Sequence, residues 1–98
     1  MILPKLVTEK FILLNQKSNS KKNVLELISS YLQKEIKIKK DTVFENLYAR
    51  EKLGTTALGN GVALPHARID SLKTTQTLLL QLGSGIDFDA VDGKKVDV

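Results

Sequence analysis

The apolar residues of this chain follow two periods, which predicts a mixture of strands and helices. Residues 11–14 form a short continuous apolar run of the kind found in a buried strand. The polar residues 15–20 are turn-like, and Ser20 is placed to cap a following helix. Within residues 21–33, apolar side chains at 24, 25, 28, 31 and 32 share one face of a 3.6-residue period, which predicts an amphipathic helix.

A second helix is predicted to begin at Thr42. Residues 42–45 read Thr-Val-Phe-Glu, a capping box in which the Thr42 hydroxyl accepts one backbone N–H and Glu45 returns to the Thr42 amide. Gly54 is expected to end this helix, because glycine adopts a positive φ at little cost. Between the helices, Ile36 and Ile38 alternate with lysines, which suits a brief extended connection or a fraying helix end.

The residues after Gly54 predict turns and strands. A turn is expected at 59–61, followed by a short buried strand at 62–64 that Pro65 stops. Residues 75–82 are nearly all apolar and predict a strand in the centre of its sheet.

The last residues predict a hairpin. Asp92-Gly93 is a turn signal, and Val96 and Val98 would face the core from the returning strand. The pattern stops at Val98 without a turn or a cap, so we expect either an edge strand or a partner element that completes the fold. An exposed apolar edge invites pairing with another chain, as in a homodimer. The elements together predict an α/β (α+β) fold, a mixed β-sheet flanked by helices, in one domain over residues 1–98.

Composition supports a small globular domain. Of the 98 residues, 42% are apolar and 27% are charged, which excludes a disordered tail or a fibrous repeat. No apolar stretch approaches the roughly 20 residues that span a bilayer, so membrane insertion is not expected. No secretory signal is evident, and the absence of cysteine excludes disulfides and thiolate metal sites. These features favour a cytoplasmic protein.

The net charge of +4 is compatible with an anionic partner. Lysines at 34, 37, 39 and 40 form one basic segment, which is typical of a solvated helix edge and less often of a nucleic-acid surface. No aromatic side chain interleaves with these lysines, although nucleic-acid sites combine basic and stacking residues. We therefore expect no nucleic-acid partner.

His66 is the only histidine, which excludes a multi-histidine metal site. It follows Pro65 at a predicted strand end, and Arg68, two residues later, could form two hydrogen bonds to a phosphate group. An imidazole of unperturbed pKa near 6.5 is largely neutral at neutral pH, so one ring nitrogen can act as a nucleophile. From the residues alone, His66 is either a phosphoryl acceptor or a structural or merely exposed side chain. The glycine-rich residues 54–61 lack the Lys-Ser/Thr pair of a nucleotide P-loop.

A longer motif surrounds His66: residues 50–68 read REKLGTTALGNGVALPHAR. They closely resemble the active-site signature of the fructose/mannitol-type enzyme IIA domains of the phosphoenolpyruvate-dependent sugar phosphotransferase system (PTS), approximately R-E-x-L-G-S-T-x-x-G-x-G-x-A-x-P-H. Thr55 stands where Ser is commoner in that family, and Leu58 and Leu64 stand where Ile is commoner. Residues 86–97 and 20–26 are similar to segments of the nitrogen-regulatory branch of the family.

The resemblance implies the PTS IIA type-2 fold and a role for each site residue. His66 corresponds to the histidine that takes a phosphoryl group from a phosphohistidine on a phosphocarrier protein, either HPr or its nitrogen-branch counterpart. Arg50 corresponds to the arginine that lies near the phosphoryl group. Arg68 is our further candidate for a phosphate contact, with an ion pair to Asp70 as the alternative. Gly59 and Gly61 would permit close backbone approach, or simply form the turn. No metal and no cofactor are implied.

Three functions stay open at this point. The first is a regulatory module in nitrogen or metabolic control, which acts on regulatory protein targets. The second is a fructose- or mannitol-uptake module that passes phosphate to a IIB domain. The third is a truncated, non-catalytic protein-binding module, because family domains continue past the strand at 96–98 and carry a second active-site histidine there. The resemblance thus implies a domain that is incomplete at its C-terminus.

Overall fold

The computed structural model describes residues 11–98. The helices and strands follow one another as β1 (Ile12–Gln16), α1 (Lys21–Ile36), α2 (Lys40–Lys52), β2 (Ala57–Gly59), β3 (Val62–Ala63) and β4 (Leu79–Leu82).

Helix α1 begins as the sequence predicts. The Ser20 hydroxyl accepts a hydrogen bond from the Asn23 amide at 3.1 Å, so one unpaired N–H of the first turn is satisfied. The helix continues one turn beyond the predicted end at Gln33, to Ile36. Lys37, at φ 60°, ends it in the left-handed conformation.

The start of α2 differs from the prediction. Lys39 is the N-cap and its side chain makes no capping bond, so the predicted capping box at Thr42 is wrong. Instead, the Gln33 side chain of α1 accepts the Lys40 amide at 2.8 Å, a cap supplied by the neighbouring helix. At the other end, Gly54 follows the helix with a positive φ and donates its amide to Glu51 O, as predicted.

Strands β2 and β3 form an antiparallel hairpin around Asn60 and Gly61. Both turn residues have a positive φ, 55° and 83°, which suits the Asn-Gly pair. The predicted turn is present, whereas β2 was not predicted. The strand expected at 62–64 is shorter than predicted and is not buried, since Leu64 is 61% exposed.

Strand β4 pairs with β1 in parallel, with Ile12 opposite Leu79. The ladder is irregular before Gln16, and Leu14 of β1 is exposed, contrary to the buried run expected at 11–14. The predicted strand 75–82 is regular only over its last four residues. Within residues 11–98, the sheet that holds β4 has two strands, so the central position expected for this strand is wrong.

The C-terminal residues return to the hairpin. Ile86 and Val96 form an antiparallel bridge on either side of the predicted turn, and both are buried. Gly61 O accepts the amides of Asp97 and Val98. Val98 itself is 42% exposed, so its expected place in the core is wrong, whereas Val96 lies there as predicted.

Two apolar clusters share Ile28 of α1. One joins α1 to β4 and the C-terminal residues, and its buried members are Val24, Leu82, Ile86, Phe88 and Val96. The other joins the two helices, and its buried members are Leu25, Ile38, Val43 and Leu47. The fold is therefore mixed α/β, with the helices packed together and the hairpin attached to the first cluster.

Candidate functional site

His66 lies exposed just beyond the hairpin, two residues after Leu64. Its Nδ1 atom is 3.0 Å from the Leu64 carbonyl oxygen. Because a carbonyl can only accept, Nδ1 donates the proton in this contact, and Nε2 of the neutral ring keeps its lone pair. The geometry therefore presents Nε2 as the nucleophilic nitrogen.

Hydrogen bonds on two sides hold the hairpin that carries His66. The Leu64 amide donates to Thr56 O at 3.0 Å and extends the pairing past the strand ends. At the turn, the Asn60 amide donates to the Asp92 carboxylate at 2.9 Å. The hydrogen bond from Asn60 is the main cause that lowers the pKa of Asp92 below its ordinary value.

Arg50 lies in the last turn of α2 and is partly buried. Its Nη1 atom donates to Gly54 O at 2.9 Å, so the guanidinium folds back over the helix end. Arg68 is exposed, and in the described part of the chain it forms no ion pair with Asp70. Within residues 11–98, neither guanidinium hydrogen-bonds to His66.

Gly59 and Gly61 have positive φ angles of 99° and 83°. A Cβ atom on Gly59 would lie 3.3 Å from Asp92 Oδ2, and one on Gly61 would lie 3.3 Å from Asp97 Oδ1. The close approaches at these two glycines are thus to carboxylates of the chain's own C-terminal residues.

Sequence reasoning assigned no role to Glu51, although it stands beside Arg50 in the quoted signature. Glu51 is buried, and its carboxylate accepts both the amide and the hydroxyl of Thr56. Lys21 Nζ lies 2.9 Å from Glu51 and 2.9 Å from Asp89. Burial alone would raise the pKa of Glu51, but the hydrogen bonds from Thr56 and Lys21 outweigh it and leave the pKa below its ordinary value.

An apolar groove of about 410 Å³ lies beside His66. Val24 and Ile28 of α1 line one part of it, and Leu79 and Leu80 line another. Leu64 stands at the hairpin side of the same groove. The candidate nucleophile therefore borders an apolar surface.

Other kinds of site are not found among residues 11–98. No group of three His, Cys, Asp or Glu side chains in that range could hold a metal ion. None of the described helices is both long enough and apolar enough to cross a membrane.

The fold agrees with the comparisons with known proteins. Residues 5–98 match the family "Phosphoenolpyruvate-dependent sugar phosphotransferase system, EIIA 2", and the chain belongs to this family. The resemblance seen in the signature at 50–68 is thereby confirmed.

Its relatives include nitrogen regulatory proteins. The chain is 42% identical over 97 residues to one from Pseudomonas aeruginosa, a match that covers 98% of this chain and 63% of that protein. It is 30% identical over 95 residues to the "PTS system fructose-specific EIIABC component" of Bacillus subtilis, covering 96% of this chain and 15% of that protein. The crystal structure of nitrogen regulatory protein IIA-Ntr from Neisseria meningitidis superimposes with a TM-score of 0.90 at 36% identity, covering 99% of this chain and 66% of that one. The chain thus spans about two thirds of the length of these two nitrogen regulatory proteins.

Proposed function

We propose that this chain is a phosphoryl-accepting IIA module of nitrogen-regulatory type, in which His66 takes the phosphoryl group from a phosphohistidine on a phosphocarrier protein. The observation that carries the proposal is the position of the His66 ring. The ring is exposed just beyond the hairpin of β2 and β3, and its Nδ1 donates to Leu64 O. This contact leaves Nε2 as the attacking atom.

The transfer needs little covalent chemistry from the protein. A bond forms between His66 Nε2 and phosphorus while the N–P bond of the donor phosphohistidine breaks, and the electron pair of that bond stays on the donor's ring nitrogen. The Nδ1 proton of His66 is retained, so the phosphorylated ring is cationic and its N–H still donates to Leu64 O. Phosphoryl transfer of this kind depends mainly on positioning and charge stabilisation.

Arg50 is the proposed source of positive charge at the moving phosphoryl group. Among residues 11–98, the guanidinium hydrogen-bonds through Nη1, to Gly54 O, so its other N–H groups can reach an anion. Arg68 is the second candidate, exposed two residues after His66.

The surface around His66 suits a protein donor. Leu58 and Leu64 of the hairpin region are 69% and 61% exposed, and Leu64 lines the apolar groove that His66 borders. A phosphocarrier protein could cover these side chains while its phosphohistidine meets Nε2.

The regulatory branch is favoured over sugar uptake by sequence identity. The nitrogen regulatory proteins are 40–42% identical to this chain, against 30% for the fructose-specific component. We therefore expect the phosphorylation state of His66 to change which regulatory proteins bind, since a phosphoryl group carries about −1.5 to −2 charge, which the cationic ring offsets only in part.

Intact mass after incubation with phosphoenolpyruvate, enzyme I and the carrier protein tests the proposal. The wild-type chain should gain one acid-labile phosphoryl group, and His66→Ala should gain none while keeping its circular-dichroism spectrum. Arg50→Ala should slow the transfer by about tenfold or more, because it removes a charge-stabilising donor. Lys52→Ala, at an exposed cation of the same helix end, is the matched control and should transfer at the wild-type rate.

A folded wild-type chain that takes no phosphoryl group would contradict the proposal and favour a non-catalytic binding module. Transfer from HPr faster than from its nitrogen-branch counterpart, followed by passage to a IIB domain, would instead favour sugar uptake.

A further inference from the structure

Glu51 is a buried carboxylate with no part in the transfer step described above. Its side chain is 2% exposed and lies in the last turn of α2. Oε2 accepts the Thr56 amide at 3.0 Å and lies 2.9 Å from Lys21 Nζ, and Oε1 accepts the Thr56 hydroxyl at 2.5 Å. A buried carboxylate is costly unless its oxygens are paired, and here both are.

Thr56 connects Glu51 to the hairpin through hydrogen bonds. Its amide and hydroxyl point at Glu51, while its carbonyl accepts the Leu64 amide at 3.0 Å. The Leu64 carbonyl in turn accepts His66 Nδ1 at 3.0 Å. Hydrogen bonds therefore join Glu51 to Thr56, Thr56 to Leu64 and Leu64 to the imidazole, and the backbones of Thr56 and Leu64 connect each bond to the next.

From this series we propose that Glu51 is a positioning residue, which sets the tautomer and orientation of the His66 ring through Thr56 and Leu64. The proposal rests on His66 as the phosphoryl acceptor. Glu51 holds Thr56 through its amide and hydroxyl, the Thr56 carbonyl holds the Leu64 amide, and the Leu64 carbonyl thereby stays within reach of Nδ1 and favours the tautomer that carries its proton there. Without this anchor the carbonyl moves, and the ring loses the contact that keeps Nε2 free.

Glu51→Gln is the informative substitution, since it keeps the side-chain size but replaces one acceptor oxygen by an N–H donor. If that amide group faces the Thr56 hydroxyl, the hydroxyl must accept where it now donates; if it faces the Thr56 amide or the Lys21 ammonium, a hydrogen bond is lost. In either arrangement the charged anchor becomes neutral, so the hydrogen bonds that hold Thr56 are weaker. Glu45→Gln, at an exposed carboxylate of the same helix, is the matched control.

The first readout is the pair of imidazole ¹⁵N shifts of His66, recorded at pH 8 to reduce the share of imidazolium that a free imidazole would have. In the wild-type chain and in Glu45→Gln we expect the Nδ1–H tautomer to predominate, and in Glu51→Gln we expect its share to fall. The second readout is transfer from the phosphorylated carrier, where kcat should drop about tenfold to a hundredfold while KM stays within about twofold. A structural role alone would not shift the tautomer in a folded chain.

Thr56 variants keep the proposal testable if Glu51→Gln does not fold. Thr56→Ser retains the amide and the hydroxyl, so its His66 shifts should match the wild type. Thr56→Val retains only the amide and should shift part of the population to the other tautomer. Unchanged ¹⁵N shifts in folded Glu51→Gln or Thr56→Val would overturn the proposal. Because the shifts are read on the unphosphorylated chain, they decide the role of Glu51 even if wild-type transfer fails, a result that would refute only the proposed function.

Discussion

Replacing Lys21 by methionine measures how much its ion pair with the buried Glu51 contributes to the free energy of unfolding. Lys21 Nζ lies 2.9 Å from two carboxylates, and the side chains of Glu51 and Asp89 are 2% and 74% exposed. Breaking a buried pair costs about 3–5 kcal/mol, whereas an exposed pair contributes about 0–1 kcal/mol. Glu51 keeps its hydrogen bonds from Thr56, so we expect the lower end, about 3 kcal/mol for Lys21→Met. Asp89→Asn, the matched control, should cost less than about 1 kcal/mol.

The assay is urea unfolding at pH 7 followed by circular dichroism. Small domains have m-values of about 1–3 kcal/mol/M, so a loss of about 3 kcal/mol lowers the midpoint by about 1–3 M. Methionine keeps an apolar stem of similar length, so the substitution removes the ammonium, including its place 5.0 Å from the centroid of the Phe88 ring.

The difference in unfolding free energy between the wild-type chain and Lys21→Met should depend on pH. In the wild-type chain the pKa of Glu51 is below its ordinary value near 4.5, so its contribution to stability is present above about pH 4.5 and is lost as the pH falls through the folded-state pKa. In Lys21→Met, burial acts on Glu51 without the opposing ammonium, so its pKa is higher and the carboxyl takes up a proton sooner. The stability gap between the two chains should therefore narrow as the pH is lowered from 7 to 4. A loss no larger than that of Asp89→Asn, or a gap that does not change with pH, would refute this reasoning.

Two further pairs of substitutions test local backbone features. Ser20→Ala should lower the free energy of unfolding in urea by about 1 kcal/mol, because it removes the N-cap of α1. Ser30→Ala, at an exposed position inside α1, is the control and should change it by close to nothing. Equal losses in the two variants would contradict a stabilising role for the Ser20 cap. Gly93→Ala should cost about 1–2 kcal/mol for its positive φ in open space, and Gly61→Ala should cost more, because its new Cβ also meets an aspartate oxygen at 3.3 Å. Thermal unfolding compares the two glycine variants, and a larger loss at Gly93 would be evidence against the close contact at Gly61.

Features that depend on near neighbours were predictable from the sequence. The Ser20 cap, the end of α2 at Gly54 and the turn at Gly61 each depend on a few consecutive residues. The local chemistry of a hydroxyl or of a glycine decides such features, so a pattern of residue types is enough to find them.

Features that depend on distant partners were not predictable in this way. Thr42 lost its expected capping role because Gln33, from the preceding helix, caps the first turn of α2 instead. The strand predicted at 75–82 is regular only where β1 lies beside it, from Leu79 onward. Apolar composition indicates that a segment can be a strand, but only a partner strand decides how much of it is one.

The same distinction between near neighbours and distant partners explains which parts of the candidate site could be predicted from the sequence. The spacing of the signature between Glu51 and His66 acquires a physical reason in the structure, because hydrogen bonds join residue 51 to 56, 56 to 64 and 64 to 66. A residue inserted between Thr56 and Leu64 would shift the hairpin pairing and turn alternate side chains to the opposite face, as any one-residue slip in a strand does. The motif therefore predicted His66 without revealing why the number of residues before it matters. Nor could the motif reveal Lys21, because the ammonium that neutralises Glu51 comes from the first turn of another helix, and only the packing of α1 against α2 brings the two charges together.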